Sequence, residues 1–246
     1  MTMKNDHQQI GELLLAAYES GALWGASNAA WPLPAGVERG DEAHLAFLTL
    51  VYAISGGREP AQLWAAARAT FAADPELFAP HFIAYAKGRE LAGRLTAHKM
   101  ARKTVSDSTA WQRTGQALVM RAGGSVRQLL ENFGFDGAAL LDMLQANKAT
   151  FPILSGEQTA PRWLYGLAHE GAQPLTGVDR LPVPLAPAGT AALANLGLNA
   201  DAVSATAFNA VAALTHHGCR QHRPDTPTCP AAPECPVASF CRYGTI

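Results

Sequence analysis

Four cysteines, Cys219, Cys229, Cys235 and Cys241, are the only thiols of a 246-residue chain, and all lie close to its end. Their spacing is Cys-x9-Cys-x5-Cys-x5-Cys. Thiols gathered in this way can pair as two disulfides, form a tetrathiolate zinc site or hold an iron–sulfur cluster. The paired Cys-x2-Cys knuckles of common zinc modules are absent, which weighs against zinc. The preceding 218 residues contain no cysteine, so any thiolate-held group must be held by this segment alone.

Composition narrows the setting. The chain is 48% hydrophobic, and alanine and leucine far outnumber valine and isoleucine, a bias that favours helices. No apolar run is long enough to span a bilayer, and the polar start Met1–Ile10 carries no secretory h-region. A cytoplasmic location is therefore expected, which disfavours structural disulfides and moves weight to the metal readings. Net charge is −1, but its distribution is uneven. Between Lys87 and Arg127 nine Lys and Arg face only Glu90 and Asp107, a balance of +7 that leaves −8 elsewhere. Such a stripe is the footprint of a phosphate-binding face or simply a solvated helix face.

The elements that must carry these residues read as helices. Ile10, Leu13, Leu14, Ala17 and Tyr18 recur at helical spacing over 8–25. Trp31–Gly36 breaks the pattern and suits a crossing between domains. Asp41 caps a buried helix over 43–54, and Pro60 opens another over 60–72. Asp74-Pro75 begins a short helix, and Pro80 starts one expected to run through Lys87 towards Met100. Ser106 or Asp107 caps a helix over 108–121, ended by Gly123-Gly124. Ser125 caps the next, Asp136 the one after, and the turn Phe151–Gly156 leads into a helix near 159–169. A proline-rich passage from Pro174 to Pro187 holds Val178-Asp179-Arg180. Helices near 189–196 and 201–216 then deliver the chain to the cysteines. No strand or repeat stands out.

The tail Leu214-Thr215-His216-His217-Gly218-Cys219, followed by Thr228-Cys229, Glu234-Cys235-Pro236 and Phe240-Cys241, resembles the end of the endonuclease III family of helix–hairpin–helix DNA glycosylases. Members close with a Leu-x-x-His-Gly helix end running into four cysteines that bind a [4Fe–4S] cluster. The final Cys-x5-Cys interval and the Cys-Pro match; the first two intervals are longer than the family's. The resemblance extends more weakly over helix order, the Gly-Gly before the helix preceding the hairpin, and the proline-rich turn into Val178-Asp179. It implies an all-α, two-domain glycosylase architecture with a cluster loop: a helical bundle over 38–176, and a second domain joining 1–37 to 177–246. The implied cofactor is a [4Fe–4S] cluster on the four cysteines, with zinc as the alternative. The implied partner is double-stranded DNA with a damaged or mismatched base, bound by a monomer.

Two further segments carry that comparison. The family's hairpin, Leu-Pro-Gly-Val-Gly-x-Lys-Thr-Ala, grips a phosphate with backbone N–H groups. Here it reads Phe151-Pro152-Ile153-Leu154-Ser155-Gly156-Glu157-Gln158-Thr159-Ala160, so Ser155, Gly156, Gln158 and Thr159 are the expected DNA contacts. Taken alone the turn is a plain helix–turn–helix corner. Gln158 stands where strand-cleaving members have lysine, and an amide cannot form their Schiff base. A monofunctional glycosylase is the resulting expectation. The Val-Asp that opens the family's second domain corresponds to Val178-Asp179, which makes Asp179 the expected catalytic carboxylate; locally it also suits a turn cap. The loop Ile54–Glu59 lacks the family's glutamine, and Trp111, Trp163, Tyr165 and His169 are either base-stacking rings or core. The rival function is a degenerate relative that binds damaged DNA, or responds to redox state, without cutting. A zinc-stabilised interaction module needs only the cysteines.

Overall fold

The architecture comes from a computed structural model, which describes residues 3–24, 33–58, 60–182, 185, 187–199, 208–222 and 226–244. Among these residues the elements are helices and short 3-10 turns, with one isolated parallel bridge between Asp136 and Thr176. The fold is all-α. No described helix is long and apolar enough to cross a membrane. The chain divides into two compact units, Met1–Ala30 with Asp179–Ile246, and Trp31–Val178.

The unit Trp31–Val178 is built around α2 (Glu42–Tyr52). Asp41 caps this helix by accepting the His44 N–H at 2.7 Å, satisfying a donor that has no partner within the helix. His44–Tyr52 are all buried, so the helix is apolar on every face and its few polar groups are satisfied inside. Thr49 Oγ1 donates to Leu45 O at 2.8 Å and accepts Trp163 Nε1–H at 2.9 Å, and His44 Nδ1 accepts Gly40 N–H at 3.0 Å. Phe47 packs against Trp64, Phe71 and Phe78 with centroids 5.2–5.8 Å apart. Trp111 meets Phe78 at 5.3 Å and donates its indole N–H to Leu77 O. Trp111 and Trp163 are wholly buried, which makes them core rings.

The helices around α2 follow local signals in most places. α3 (Pro60–Ala73) starts at its proline, α7 (Val126–Asn132) at a Ser125 cap bonded to Gln128 N–H, and α8 (Gly137–Ala146) at an Asp136 cap. α9 spans Thr159–His169. Two expectations are corrected. The helix from Pro80 does not run on: α4 (Pro80–Tyr85) ends at an extended Ala86, and α5 (Gly88–Ala97) begins afresh. The cause is non-local. α6 (Thr104–Ala122) presents Gly115 so closely to α4 that a methyl there would lie 2.7 Å from Ile83 Cγ2, and its Gln112 donates to Ala86 O at 2.7 Å. α6 itself starts a turn before Asp107, whose Oδ2 reaches back to the Arg102 and Lys103 N–H groups at 2.7 and 2.9 Å.

In the other unit, α1 (Met3–Glu19) ends before Gly21, which takes a left-handed φ of 76°. Its buried Ile10, Leu14, Ala17 and Tyr18 pack with Leu193 and Leu196 around α10 (Pro187–Asn195), and with Ala210, Val211 and Leu214 around α11 (Phe208–Ala213). α11 passes into one π-helical turn, Leu214–Gly218, where Thr215 Oγ1 donates to Val211 O at 2.7 Å. The beginning of the helix expected over 201–216 lies outside the described residues. So do Trp31-Pro32 of the expected crossing.

Two consequences of this packing are measurable. Thr49→Val keeps the shape of the side chain but leaves the buried Trp163 N–H without its acceptor. It is expected to lower stability by about 1–3 kcal/mol in urea unfolding, with the m-value unchanged. Glu170, just past α9, has its carboxyl raised from 4.5 to about 7 by burial, against the opposing charge of Arg39. The folded state therefore holds this proton more tightly than the unfolded chain. Its stabilising contribution is complete below pH 4.5 and is lost as pH rises through about 7. Glu170→Gln should leave Tm near its wild-type value at pH 4 and raise it relative to wild type at pH 8. A Tm difference that does not change with pH would contradict the assignment.

Candidate functional site

The cysteine segment has its own local logic. Each cysteine carbonyl accepts an N–H three residues on: Cys219 from His222 (3.2 Å), Cys229 from Ala232 (3.0 Å), Cys235 from Ala238 (3.1 Å) and Cys241 from Gly244 (2.9 Å). Four cysteines thus head four tight turns, so the segment satisfies its backbone without a sheet and with little helix. Cys229 N–H donates to Tyr243 O at 2.8 Å and Arg242 N–H to Asn195 O at 3.0 Å, which ties the tail back onto the segment and onto α10. Two glycines permit this packing. A methyl on Gly244 would lie 1.8 Å from Ala238 O, and one on Gly218 would lie 2.6 Å from Trp24 Cη2.

All four cysteines are free thiols, half-buried, and all line one cavity of ≈ 30 Å³ with Ala192, Leu196, Leu214 and Val237. Burial, and after it the neighbouring Cys241, Cys235 and Cys229, push the Cys219 thiol up to about 12; Cys235 is raised, first by burial. Such a site resists forming several thiolates until a cation supplies the opposite charge. The donors are soft and fit a thiolate-bound transition metal or cluster. A single zinc ion needs its sulfurs about 2.3 Å from one point. Among the described residues no group of three or more His, Cys, Asp or Glu is close enough to hold one ion. His216 and His217 are not part of the cavity wall: His217 stacks on Trp24 at 6.4 Å, and His216 Nδ1 faces Arg220 at 3.1 Å. Arg242 lies over the Tyr243 ring at 4.6 Å.

The expected hairpin joins α8 to α9. Here Ser155 differs from the expectation of a DNA contact. It is only 3% exposed, and its N–H donates to Phe151 O at 2.9 Å. Gly156 N–H donates to Ile153 O at 3.0 Å, and the Thr159 and Ala160 N–H groups both donate to Gly156 O. A methyl on Gly156 would come within 3.1 Å of Ile153 O, so the glycine serves a tight turn. Pro152, Glu157 and Gln158 are the exposed residues of the segment, and Ile153, Gly156 and Thr159 are half-exposed. The backbone of Asp179 sits in the 3-10 turn Val178–Arg180; its side chain lies outside the described residues.

Beside this turn the structure gathers two loops that the sequence did not connect. A methyl added to Gly56 would lie 3.5 Å from Ile153 Cγ2, so the loop after α2 rests on the hairpin. Arg58 from that loop donates to Met100 O, and Arg102 from the α5–α6 loop donates back to Gly57 O at 2.8 Å. This reciprocal clamp holds the Arg58 and Arg102 loops together, with exposed Lys99 and Lys103 next in sequence to the clamped Met100 and Arg102. Lys99 adopts a left-handed φ of 58°, unusual for a residue with a side chain. Much of the remaining basic stripe is engaged internally: Arg113 on Ala149 O, Arg121 on Asn147 Oδ1, Arg127 on Gly40 O, and Arg94 on Asp74 and Glu76. No motif marked Arg58 and Arg102 as a pair; the sequence signals were Arg102's place in the basic stripe Lys87–Arg127 and Arg58's in the loop Ile54–Glu59.

Compared with known proteins, the chain matches no family model, no curated protein and no solved structure at a significant level.

The clamp makes a specific prediction. Alanine at Arg58, at Arg102 and at both, compared in a denaturation cycle, should reveal a coupling of about 0.5–3 kcal/mol, because either bond keeps the other loop in place. Additive losses would mean that the loops are held independently.

Proposed function

We propose that the protein is a monomeric DNA N-glycosylase that carries a [4Fe–4S] cluster on Cys219, Cys229, Cys235 and Cys241. The observation that carries this reading is the convergence of four free thiols, each heading a turn, on one cavity directly after a Leu-Thr-His-His-Gly helix end. Four cysteine thiolates are the ligand set that a [4Fe–4S] cluster takes. When bound it supplies a fixed scaffold for a segment that buries few apolar side chains of its own.

The partner is double-stranded DNA bearing a damaged or mismatched base. The clamped loops with Arg58, Lys99, Arg102 and Lys103 supply the charge complementary to phosphate, next to the hairpin turn. The base leaves the helix stack. The bond between C1′ and the base nitrogen breaks, water oxygen bonds to C1′, and the base departs with a proton. Asp179 supplies the carboxylate that steadies the cationic sugar or accepts the proton of the water. Gln158, exposed at the start of α9, offers an amide where strand-cleaving relatives of the resembled family offer an amine, so cleavage of the strand is not part of the reaction.

A second reading, damage recognition without catalysis, draws on what the chain lacks of the resembled family's pattern: Gln158 in place of the lysine, no glutamine in Ile54–Glu59, and no second hairpin glycine beside Gly156.

Three measurements decide between them. The purified protein is expected to be brown, with broad absorbance near about 400 nm and bound iron; bound zinc without iron would remove the cluster. Incubated with duplexes carrying single damaged bases, it should release a base and leave a strand that breaks only after alkali. Asp179→Asn should slow release by about 10²–10⁴-fold. Cleavage without alkali, trapped by borohydride, would refute the monofunctional assignment, and tight binding with no release from any lesion would establish the reader.

A further inference from the structure

Trp24 sits far from the cysteines in sequence and against them in space. The chain leaves α1 through Gly21, buries Leu23 completely in the core of its unit, and then places Trp24 in a left-handed conformation with φ 52°. That backbone is costly for a large side chain, so the surrounding contacts must hold it there. Three of them are identifiable. The indole lies so close to Gly218 that a methyl group on that residue would be 2.6 Å from Cη2. Its Nε1–H donates to Glu234 Oε2 at 3.2 Å, and its ring stacks on His217 with planes 27° apart. Gly218 immediately precedes Cys219, and Glu234 immediately precedes Cys235. One side chain therefore bridges the two segments that deliver the first and third thiols to the cavity.

We propose that Trp24 is a positioning residue for the thiol site. It straps the Cys219 and Cys235 segments together, so that these two thiols stay directed into the cavity and whatever they bind is retained. The retention half rests on the metal-binding reading above; the strap itself does not. The indole acts through packing on Gly218 and one hydrogen bond to Glu234, and it has no place in the cavity wall. Its influence should therefore fall on two cysteines of the four.

The test uses the full chain as purified. The protein is challenged with an iron chelator and a thiol-alkylating reagent while iron, absorbance and the alkylation of each cysteine are followed by mass spectrometry. For Trp24→Ala, Cys219 and Cys235 are expected to be modified about tenfold faster than in wild type, with Cys229 and Cys241 changed much less. Any bound iron is expected to be lost faster by a similar factor. Glu234→Ala should show the same pattern more weakly, and Glu234→Gln, which keeps an acceptor oxygen, should restore wild-type rates. These two exposed-site variants also carry the test if Trp24→Ala fails to fold. Equal acceleration at all four cysteines would mean general loosening and would overturn the strap, as would unchanged rates. A preparation without iron would defeat the cluster reading alone, because the alkylation pattern of the free thiols still decides the role of Trp24.

Discussion

Burial of the Cys219 and Cys235 thiols in the small cavity that all four cysteines line is the constraint on which the end of the chain depends. Ionising one of them without a counter-charge is unfavourable, because burial and the neighbouring sulfurs act in the same direction on Cys219. The segment has little else to hold it: Ala231, Ala232 and Val237 are its buried apolar side chains beside the cysteines. Its backbone answers this locally, with a turn headed by each cysteine, and non-locally, with Arg242 N–H on Asn195 O and Trp24 against Gly218. A cation bound there would reverse those electrostatics and stabilise the ionised thiols.

In the unit Trp31–Val178 the corresponding constraint is a helix buried on every side. Because α2 is surrounded, its polar atoms need partners in the interior: Thr49 accepts Trp163 Nε1–H and His44 accepts Gly40 N–H from the turn before the helix, while Tyr52 packs closely on Gly166. The loop that follows α2 inherits that rigidity. It is then clamped to the α5–α6 loop by a pair of arginines whose guanidinium groups bind carbonyl oxygens. Exposure and internal bonding are separate matters in the basic stripe: Arg94 pairs with Asp74 and Glu76, exposed Arg113, Arg121 and Arg127 keep their charge while bonding carbonyls or an amide, and Lys99 and Lys103 are exposed as well.

The same distinction bears on the hairpin. Its sequence carries the glycine, threonine and alanine of a phosphate-gripping turn, yet the structure spends the Ser155 and Gly156 N–H groups inside the turn and buries Ser155. Pro152, Glu157 and Gln158 are left as the outward residues. A phosphate at this turn would meet the Gln158 amide, half-exposed Gly156 and Thr159 and the adjoining arginine-clamped loops, with the Glu157 carboxylate opposing it.

The amino-acid sequence by itself determined what depends on near neighbours. Helical class follows from composition, and the starts at Asp41, Pro60, Ser125 and Asp136 follow from side chains that cap within three residues or lack an N–H. The cysteines could be recognised as a set because they lie in one segment. Tertiary structure decided what depends on distant chain. It broke the helix at Ala86, where Gly115 and Gln112 of α6 meet α4, whereas the early start of α6 is a local effect of Asp107 on Arg102 and Lys103, five and four positions back. It brought Arg58 to Met100 and Trp24 to Glu234, pairs 42 and 210 positions apart. No local pattern encodes such pairings, since each partner is chosen by packing that exists only once the chain has folded.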